Sequence, residues 1–335
     1  MKFRSLFILL LILTFILTPL AALRFAPVDV EANQPDTTTT APSKVSPTST
    51  ATAPKAETVT STKDFTVRLL RSVSGKTEEL PLEDYVLGAL AAEMPASNEP
   101  EALAAQAVAV RTNALYARNH PDATLAGADL ADTAGTHQGY ADKTQRQAQW
   151  GKDADIYEEK LTKVVADTAG KIVLYKDKPA FAAFHALSCG MTESAANVWG
   201  NDLPYLRPVN SAGDTLSPNY AKTIIVPIAD FLEKVAQLGG DKNAKELVGK
   251  ATLTASGTVA GLKLGGKELK GTEIRTAFAL PSAAFDLTLT QTEASFACRG
   301  YGHGVGLSQF GAQTMAAQGS NWREILAHYY PGTTI

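Results

Sequence analysis

The sequence predicts an α+β fold: a mixed core with an accessory lobe, preceded by an N-terminal membrane anchor and a disordered tether. Three observations predict it. Short β-prone runs and helical patterns interleave in irregular order from Phe65 to Ile335, which argues against a regularly wound α/β sheet. Within that stretch, residues from about 223 to 296 alternate a helical pattern with short strands and carry few chemistry-bearing side chains, as expected of an inserted lobe. The residues before Phe65 show neither pattern.

Leu6–Ala22 is an almost unbroken apolar run with Thr14 and Thr18 inside it and Lys2 and Arg4 ahead of it. With its flanks it approaches the roughly 20 residues of a spanning helix, and the positive flank favours a cytoplasmic N-terminus. A cleavable signal peptide would need small residues at a cleavage site, a pattern that Pro19–Leu23 fits imperfectly. Residues 1–25 are therefore read as an uncleaved single-pass anchor. Residues 26–64 are crowded with Thr, Pro, Ser and Ala, as in Thr37–Thr40 and Ser46–Thr50. Such a segment buries too little apolar surface to offset its ordering entropy and reads as a disordered linker. The folded part, 65–335, is then expected on the extracytoplasmic side of the cell membrane. It is long enough for one large domain or a core with an inserted lobe. The net charge of −3 gives no basic surface and excludes a nucleic-acid partner. Two cysteines, Cys189 and Cys298, are too few for a disulfide-stapled scaffold but could form one bridge outside the cell.

The elements follow in order. Phe65–Leu70 reads FTVRLL, a strand, and Ser74-Gly75 a turn. Pro81 suits a first helical position, and Leu82, Tyr85, Val86 and Leu90 recur at helical spacing up to Ala92. A second helix begins near Pro100, capped by Asn98 or Glu99, and runs through EALAAQAVAVRTNALYAR with Leu103, Ala107, Val110 and Ala114 on one face. Glu158–Ala169 reads as an amphipathic helix, and Lys171–Tyr175 and Ala180–His185 as strands. Ile228–Leu238 and Ala251–Ala255 are a helix and a strand of the lobe.

Glu93 falls at the end of the first helix, between Ala91-Ala92 and Met94-Pro95. A carboxyl among small apolar neighbours, at the negative end of a helix dipole, is disfavoured in its charged form, which is how a general acid is made. The ordinary alternative is a surface or capping glutamate. Arg111, mid-way along the second helix, is either a solvated charge, a structural ion pair, or a group that helix packing brings to a cleft. In Phe184–Glu193 a strand delivers a polar, glycine-containing loop. His185 and Cys189 there admit a thiol nucleophile with its base, a pair of metal ligands, or a buried neutral thiol. Gly300–Ala312 places glycines at alternate positions around His303, Ser308 and Gln309; it lacks the Gly-Lys-Ser/Thr ending of a phosphate loop and could simply close a hairpin.

Three segments in this order, AAEMP with AAQAVAVRTNAL, FHALSCGMTE with NVWG, and GYGHGVGLSQFGAQTMAAQG, resemble the stage II sporulation protein D family, also represented by the modifier protein of a major autolysin. The resemblance spans about Phe65 to Ile335 and includes Gly271–Arg275. It implies a peptidoglycan lytic transglycosylase, a lyase that cleaves between N-acetylmuramic acid and N-acetylglucosamine and leaves 1,6-anhydro ends. Denuded glycan strands are its expected substrate, in septal wall remodelling during sporulation. The family's catalytic glutamate falls on Glu93; Arg111, His185, Ser188, His303, Ser308 and Gln309 are assigned to substrate binding. A wall amidase and other sporulation membrane proteins are the expected partners, besides the glycan and the membrane itself. The alternatives are a non-catalytic wall-binding scaffold or activator of other wall hydrolases, and a peptidase with Cys189 as nucleophile.

One departure matters. Some relatives resemble zinc proteins with cysteines flanking a histidine where this chain reads DTAGTHQGY, Asp132–Tyr140, with His137 but no cysteine. No metal or other cofactor is therefore expected. A disulfide between Cys189 and Cys298 remains an expectation, since both lie beside the motifs.

Overall fold

The computed structural model of the protein describes residues 62, 64–133 and 137–335. The expected anchor at 1–25, and the expected tether apart from Thr62 and Asp64, lie outside the described residues. Among the described residues no helix is long and apolar enough to cross a membrane. The fold is α+β, with helices and small sheets in mixed order.

β1 (Thr66–Arg71) and β2 (Lys76–Pro81) form an antiparallel hairpin in register from Thr66↔Pro81 to Arg71↔Lys76, turning at Gly75 with φ +67°. β2 has no apolar alternation because KTEELP is charged and largely exposed, so the sequence pattern shows only β1. α1 (Leu82–Glu93) follows directly, with Pro81 as its N-cap rather than its first residue. It stops where Met94 turns extended ahead of Pro95, a backbone that the proline ring imposes on its predecessor. α2 (Pro100–Asn119), capped by Glu99, is buried from Ala102 to Leu115. Its alanines let neighbouring helices approach on every side, making it the central helix of the core.

β3 (Leu130–Ala131) adds parallel to β1, giving the strand order β2-β1-β3. α3 (Lys143–Trp150) is a polar helix closed by an Asp142/Gln145 capping box. α4 (Ala154–Asp167) begins ahead of the expected Glu158. The strands expected at Lys171–Tyr175 and Ala180–His185 contract to β4 (Leu174–Tyr175), which pairs with β5 (Lys178–Pro179), and to β6 (Phe184–His185). α5 (Ala195–Trp199), capped by Ser194, carries the NVWG motif.

The chain then builds a second lobe. β7 (Ala221–Pro227) and α6 (Ile228–Gln237) are followed by β8 (Thr252–Leu253), β9 (Val259–Leu264) and β10 (Lys267–Leu269). α7 (Gly271–Ala277), β11 (Phe285–Leu289) and β12 (Glu293–Arg299) complete it. Two antiparallel sheets, β10-β9-β8 and β11-β12-β7, enclose a core of Phe231, Phe278, Phe285 and Phe296 that is separate from the main one. The main core draws on Phe65–Leu206 and resumes at Val305. On its return the chain forms β13 (Leu307–Ser308), parallel to β6 with Ser308 opposite His185, and ends in α8 (Gln309–Ala317) and α9 (Trp322–Tyr329). This two-residue ladder joins the histidine motif to the glycine-rich motif.

Candidate active site

Glu93 is the last residue of α1 and is half-buried. The Gly139 N–H donates to its Oε1 at 2.5 Å. A Cβ on residue 139 would stand 3.2 Å from that oxygen, so glycine allows the backbone to come this close. The donor is held from behind by a buried relay: Gln138 Nε2 donates to Tyr85 Oη at 2.8 Å, and Asn113 Nδ2 donates to Gln138 Oε1 and to the Ala182 carbonyl. Burial pushes the Glu93 carboxyl above the usual carboxylate range, while the Gly139 N–H and the Gln309 amide pull it part of the way back. Gln309 Nε2 has no partner at hydrogen-bonding geometry, so its influence on Glu93 is that of a nearby dipole. No second carboxylate is among the groups that shift Glu93. A lone carboxyl whose neutral form is favoured by burial, beside a fixed N–H donor, can give a proton and, once ionised, take one back.

The two downstream motifs meet on a residue that sequence reasoning missed. Asp214 is fully buried; its Oδ2 accepts from the Ser188 N–H at 2.8 Å and its Oδ1 from Ser308 Oγ at 2.8 Å. Ser308 Oγ also caps α8 by accepting from the Gly311 N–H at 3.2 Å. Ser188 and Ser308 are thus brought together, both buried and both occupied by the fold. His185, 3% exposed, uses Nδ1 on the Val305 carbonyl at 3.1 Å and leaves Nε2 without a partner. His303 lies 5.7 Å from it, ring to ring, and 5.0 Å from the Trp199 indole of α5. Burial drives both imidazoles below their ordinary pKa, partly countered at His185 by the nearby Asp214 carboxylate, so both are neutral near pH 7. The alternate glycines make this packing possible: Gly302, at φ +112°, lies against His185, and a Cβ on Gly306, at φ +72°, would overlap the Ala183 carbonyl. The 300–312 segment is therefore a closely seated loop rather than a plain hairpin closure.

A second overlooked carboxylate joins the lobes. Glu193, 1% exposed, accepts at Oε1 from the Ser194 N–H and Asn197 Nδ2, both 2.8 Å, and at Oε2 from Thr254 and Thr258 Oγ1, both 2.6 Å. The two threonines belong to the β8–β9 turn of the second lobe. Beside this latch lies a cavity of about 260 Å³ lined by His303, Asn197, Thr272 and Lys270; Glu93 does not line it.

Arg111 is corrected by the structure. Its side chain is fully buried, bonded to Glu83 through Nε at 2.9 Å and Nη2 at 2.6 Å and to the Lys171 carbonyl at 3.2 Å. It is the structural ion pair of the three alternatives, tying α2 to α1 and to the segment after α4. The expected disulfide is absent as well. Cys189 donates to the Ser256 carbonyl at 3.0 Å, Cys298 is packed in the second core, and both are free thiols. Burial raises the pKa of Cys189, the reverse of what a thiolate nucleophile needs. Asp122 is the charged group acting on His137, and among the described residues no three His, Cys, Asp or Glu side chains gather as metal ligands.

Fold and site together define a two-lobed α+β protein with one shielded carboxyl, reached by Gln309 of the glycine-rich segment, and a neutral histidine pair seated against the same segment beside the cavity. The family profile described as "Stage II sporulation protein" matches residues 71–175. Stage II sporulation protein D of Bacillus amyloliquefaciens is 38% identical over 284 residues, covering 84% of this chain and 81% of that protein. Its counterpart in Bacillus subtilis (strain 168) is 38% identical over 271 residues, covering 80% of this chain and 78% of the relative. An "Amidase enhancer" of Bacillus subtilis (strain 168) is 26% identical over 305 residues, 74% of this chain but only 40% of that protein. The chain belongs to the stage II sporulation protein D family.

Proposed function

We propose that this protein is a membrane-anchored lytic transglycosylase acting on peptidoglycan glycan strands, with Glu93 as its sole proton carrier. The observation that carries the proposal is a half-buried carboxyl, raised in pKa by desolvation, with no carboxylate partner acting on it. Hydrolysing glycosidases work with two carboxylates at a set separation, one of them to activate water or attack the sugar. One carboxyl suffices where the attacking group belongs to the substrate. Neutral Glu93 protonates the glycosidic oxygen, and the bond to the muramic acid anomeric carbon breaks through an oxocarbenium-like state. The Glu93 carboxylate then takes the proton of the C6 hydroxyl as that oxygen closes on the anomeric carbon, and a 1,6-anhydro end results. Gly139 steadies the carboxylate of the second half-reaction, and its bond keeps the charged form within reach. Neutral His303, which lines the cavity beside the Trp199 indole, offers uncharged hydrogen-bonding and stacking surface to a sugar, and buried His185 packs against it.

Mass analysis of digested denuded strands tests this. Anhydro-muramic ends support it, whereas ordinary reducing ends or intact strands contradict it. A second reading, an activator that recruits other wall hydrolases without cutting glycan, draws support from the relative named as an amidase enhancer. It predicts intact strands in the same digest, together with stimulation of an added amidase.

A further inference from the structure

Four polar side chains are buried in the alanine-rich middle of α2, and three of them are engaged. Arg111 is paired with Glu83, Thr112 Oγ1 donates to the Val108 carbonyl and accepts from the Val173 N–H, and Asn113 bonds Gln138 and both backbone groups of Ala182. The fourth, Gln106, is wholly inaccessible, and neither its Oε1 nor its Nε2 has a partner among the described residues. An unbonded buried amide is destabilising, and the alanine or valine of the neighbouring positions would avoid it. Helix register shows what Gln106 lies under. α1 and α2 form an antiparallel pair joined by residues 94–99 and are tied at two rungs, Glu83 to Arg111 and, through Gln138, Tyr85 to Asn113. Equal steps along the helices from these rungs bring Glu93 level with residues 101–105 of α2. Gln106 lies seven residues, about 10 Å, before Asn113 and on nearly the same face, the one turned to Gln138, whose neighbour Gly139 donates to Glu93. Helical side chains lean toward the N-terminus, which carries the Gln106 amide to the level of Glu93. The start of α8 closes on the same place: Gln313 Oε1 accepts from the Glu99 N–H at 2.7 Å, and one turn earlier Gln309, its Nε2 also unpartnered, acts on Glu93. The charged groups around this end of α1 are spent elsewhere: Lys160 of α4 on the Asn98 carbonyl, Glu101 on the Trp322 N–H, Arg146 of α3 on Glu158. Tyr85, raised in pKa by its burial, stays neutral.

We propose that Gln106 is a positioning residue for the proton carrier: once Glu93 has given up its proton, the Gln106 amide turns from beneath to the Glu93–Gln309 pair and steadies the carboxylate until a proton returns. This rests on the proposed role of Glu93. The neutral carboxyl is served by the Gly139 N–H, which leaves the Gln106 Nε2–H uncommitted. The new negative charge draws that donor in, because a hydrogen bond to a charged oxygen is about twice as strong as a neutral one. Gln106 Oε1 accepts from Gln309 Nε2 in the same arrangement and holds that amide toward the carboxylate. A sugar meets Glu93 on its exposed side; Gln106 has no exposed surface and acts only through its neighbours.

The test is Gln106→Met in the full chain, which keeps the length of the side chain and removes its amide. The Glu93 carboxyl, followed by carbon-13 magnetic resonance and assigned by its absence in Glu93→Gln, should titrate at higher pH in the variant, because its charged form has lost a donor. On denuded strands kcat should fall about tenfold, the size of one hydrogen bond to a charged group, with KM within about twofold. The unfolding midpoint should not fall, since an unpartnered polar group gives way to an apolar one of similar shape. An unmoved Glu93 titration overturns the proposal, and so does a lowered unfolding midpoint with kcat unchanged, the mark of a purely structural residue. Where the variant does not fold, the native chain decides. The nitrogen-15 signal of the Gln106 side-chain amide should move at the Glu93 midpoint and stay still in Glu93→Gln; an amide blind to that midpoint overturns the proposal. Both titrations are read without substrate. Absence of anhydro ends while they behave as expected sinks the catalytic reading alone, whereas anhydro ends with a Glu93 titration indifferent to Gln106→Met sink only the role of Gln106.

Discussion

Glu93 and Glu193 are the same side chain placed in two shielded sites, and they are shifted in opposite directions. Glu193 is almost inaccessible to solvent, yet its pKa is held below the usual value: desolvation is outweighed by two threonine hydroxyls, the Ser194 N–H and the Asn197 amide. Glu93 keeps some exposure but is raised, because one backbone N–H and a poorly aligned glutamine amide do not offset its desolvation. Burial alone does not make an acid; the balance between desolvation and donors decides. The saturated carboxylate is a fastener between lobes, and the undersaturated one is left free to exchange a proton.

The largest effect expected from breaking this contrast is at Glu93. Glu93→Gln keeps the Gly139 bond and the volume but cannot carry a proton, and strand cleavage should fall by about 10³-fold with an unchanged circular dichroism spectrum. Its thermal stability at pH 7 should be equal or slightly higher, by up to about 1 kcal/mol, since a disfavoured charge is gone. Next comes Glu193→Ala, which strands four donors and should cost about 3 kcal/mol in denaturant unfolding and loosen the second lobe. Asp214→Asn turns one acceptor of the Ser188–Ser308 junction into a donor and should cost about 2 kcal/mol, read the same way.

The smallest effects are in pH dependence, where the two glutamates have opposite signs. Glu93, raised above 4.5, binds its proton more tightly in the folded state, so its contribution to stability is lost as pH rises through the folded pKa. Glu193, lowered below 4.5, contributes stability above that pH and loses it as pH falls through the folded pKa. Differential unfolding of Glu93→Gln against the native chain should therefore show a gap that widens toward alkaline pH. The gap for Glu193→Gln should instead close toward acid. His185, pushed by burial from 6.5 to about 4, adds a further loss of stability as pH drops through that interval, and His185→Gln should abolish it. Replacing Gln309 by alanine removes a dipole that lowers Glu93, so the alkaline limb of the rate profile should move upward.

The same contrast explains what the sequence could show. Glu93 was legible because its causes are local: small apolar neighbours, a helix end and the Met94-Pro95 backbone lie within a few residues. The partners of Glu193 were not, because Thr254 and Thr258 come from another lobe and meet it only after both cores have formed. Asp214 sits in a 3₁₀ turn, AGDTL, with no pattern around it; nothing short of the tertiary junction reveals its role. Among the elements, α2 was readable from its proline start and apolar run. α3 has no apolar face to betray it, although its Asp-x-x-Gln capping box was a usable signal. β6 and β13 are two residues each, too short for any period, and yet they align His185 with Ser308. Arg111 misled because a charge amid alanines fits a cleft or a buried pair equally well, and only Glu83 on the neighbouring helix decides.

The central claim, that one carboxyl serves first as acid and then as base with no water consumed, is tested most directly by digesting denuded strands in water enriched in heavy oxygen and weighing the new ends. The account predicts 1,6-anhydro ends free of solvent oxygen from the native chain and essentially none from Glu93→Gln. Heavy oxygen in the cleaved ends, or undiminished cleavage by Glu93→Gln, would contradict it.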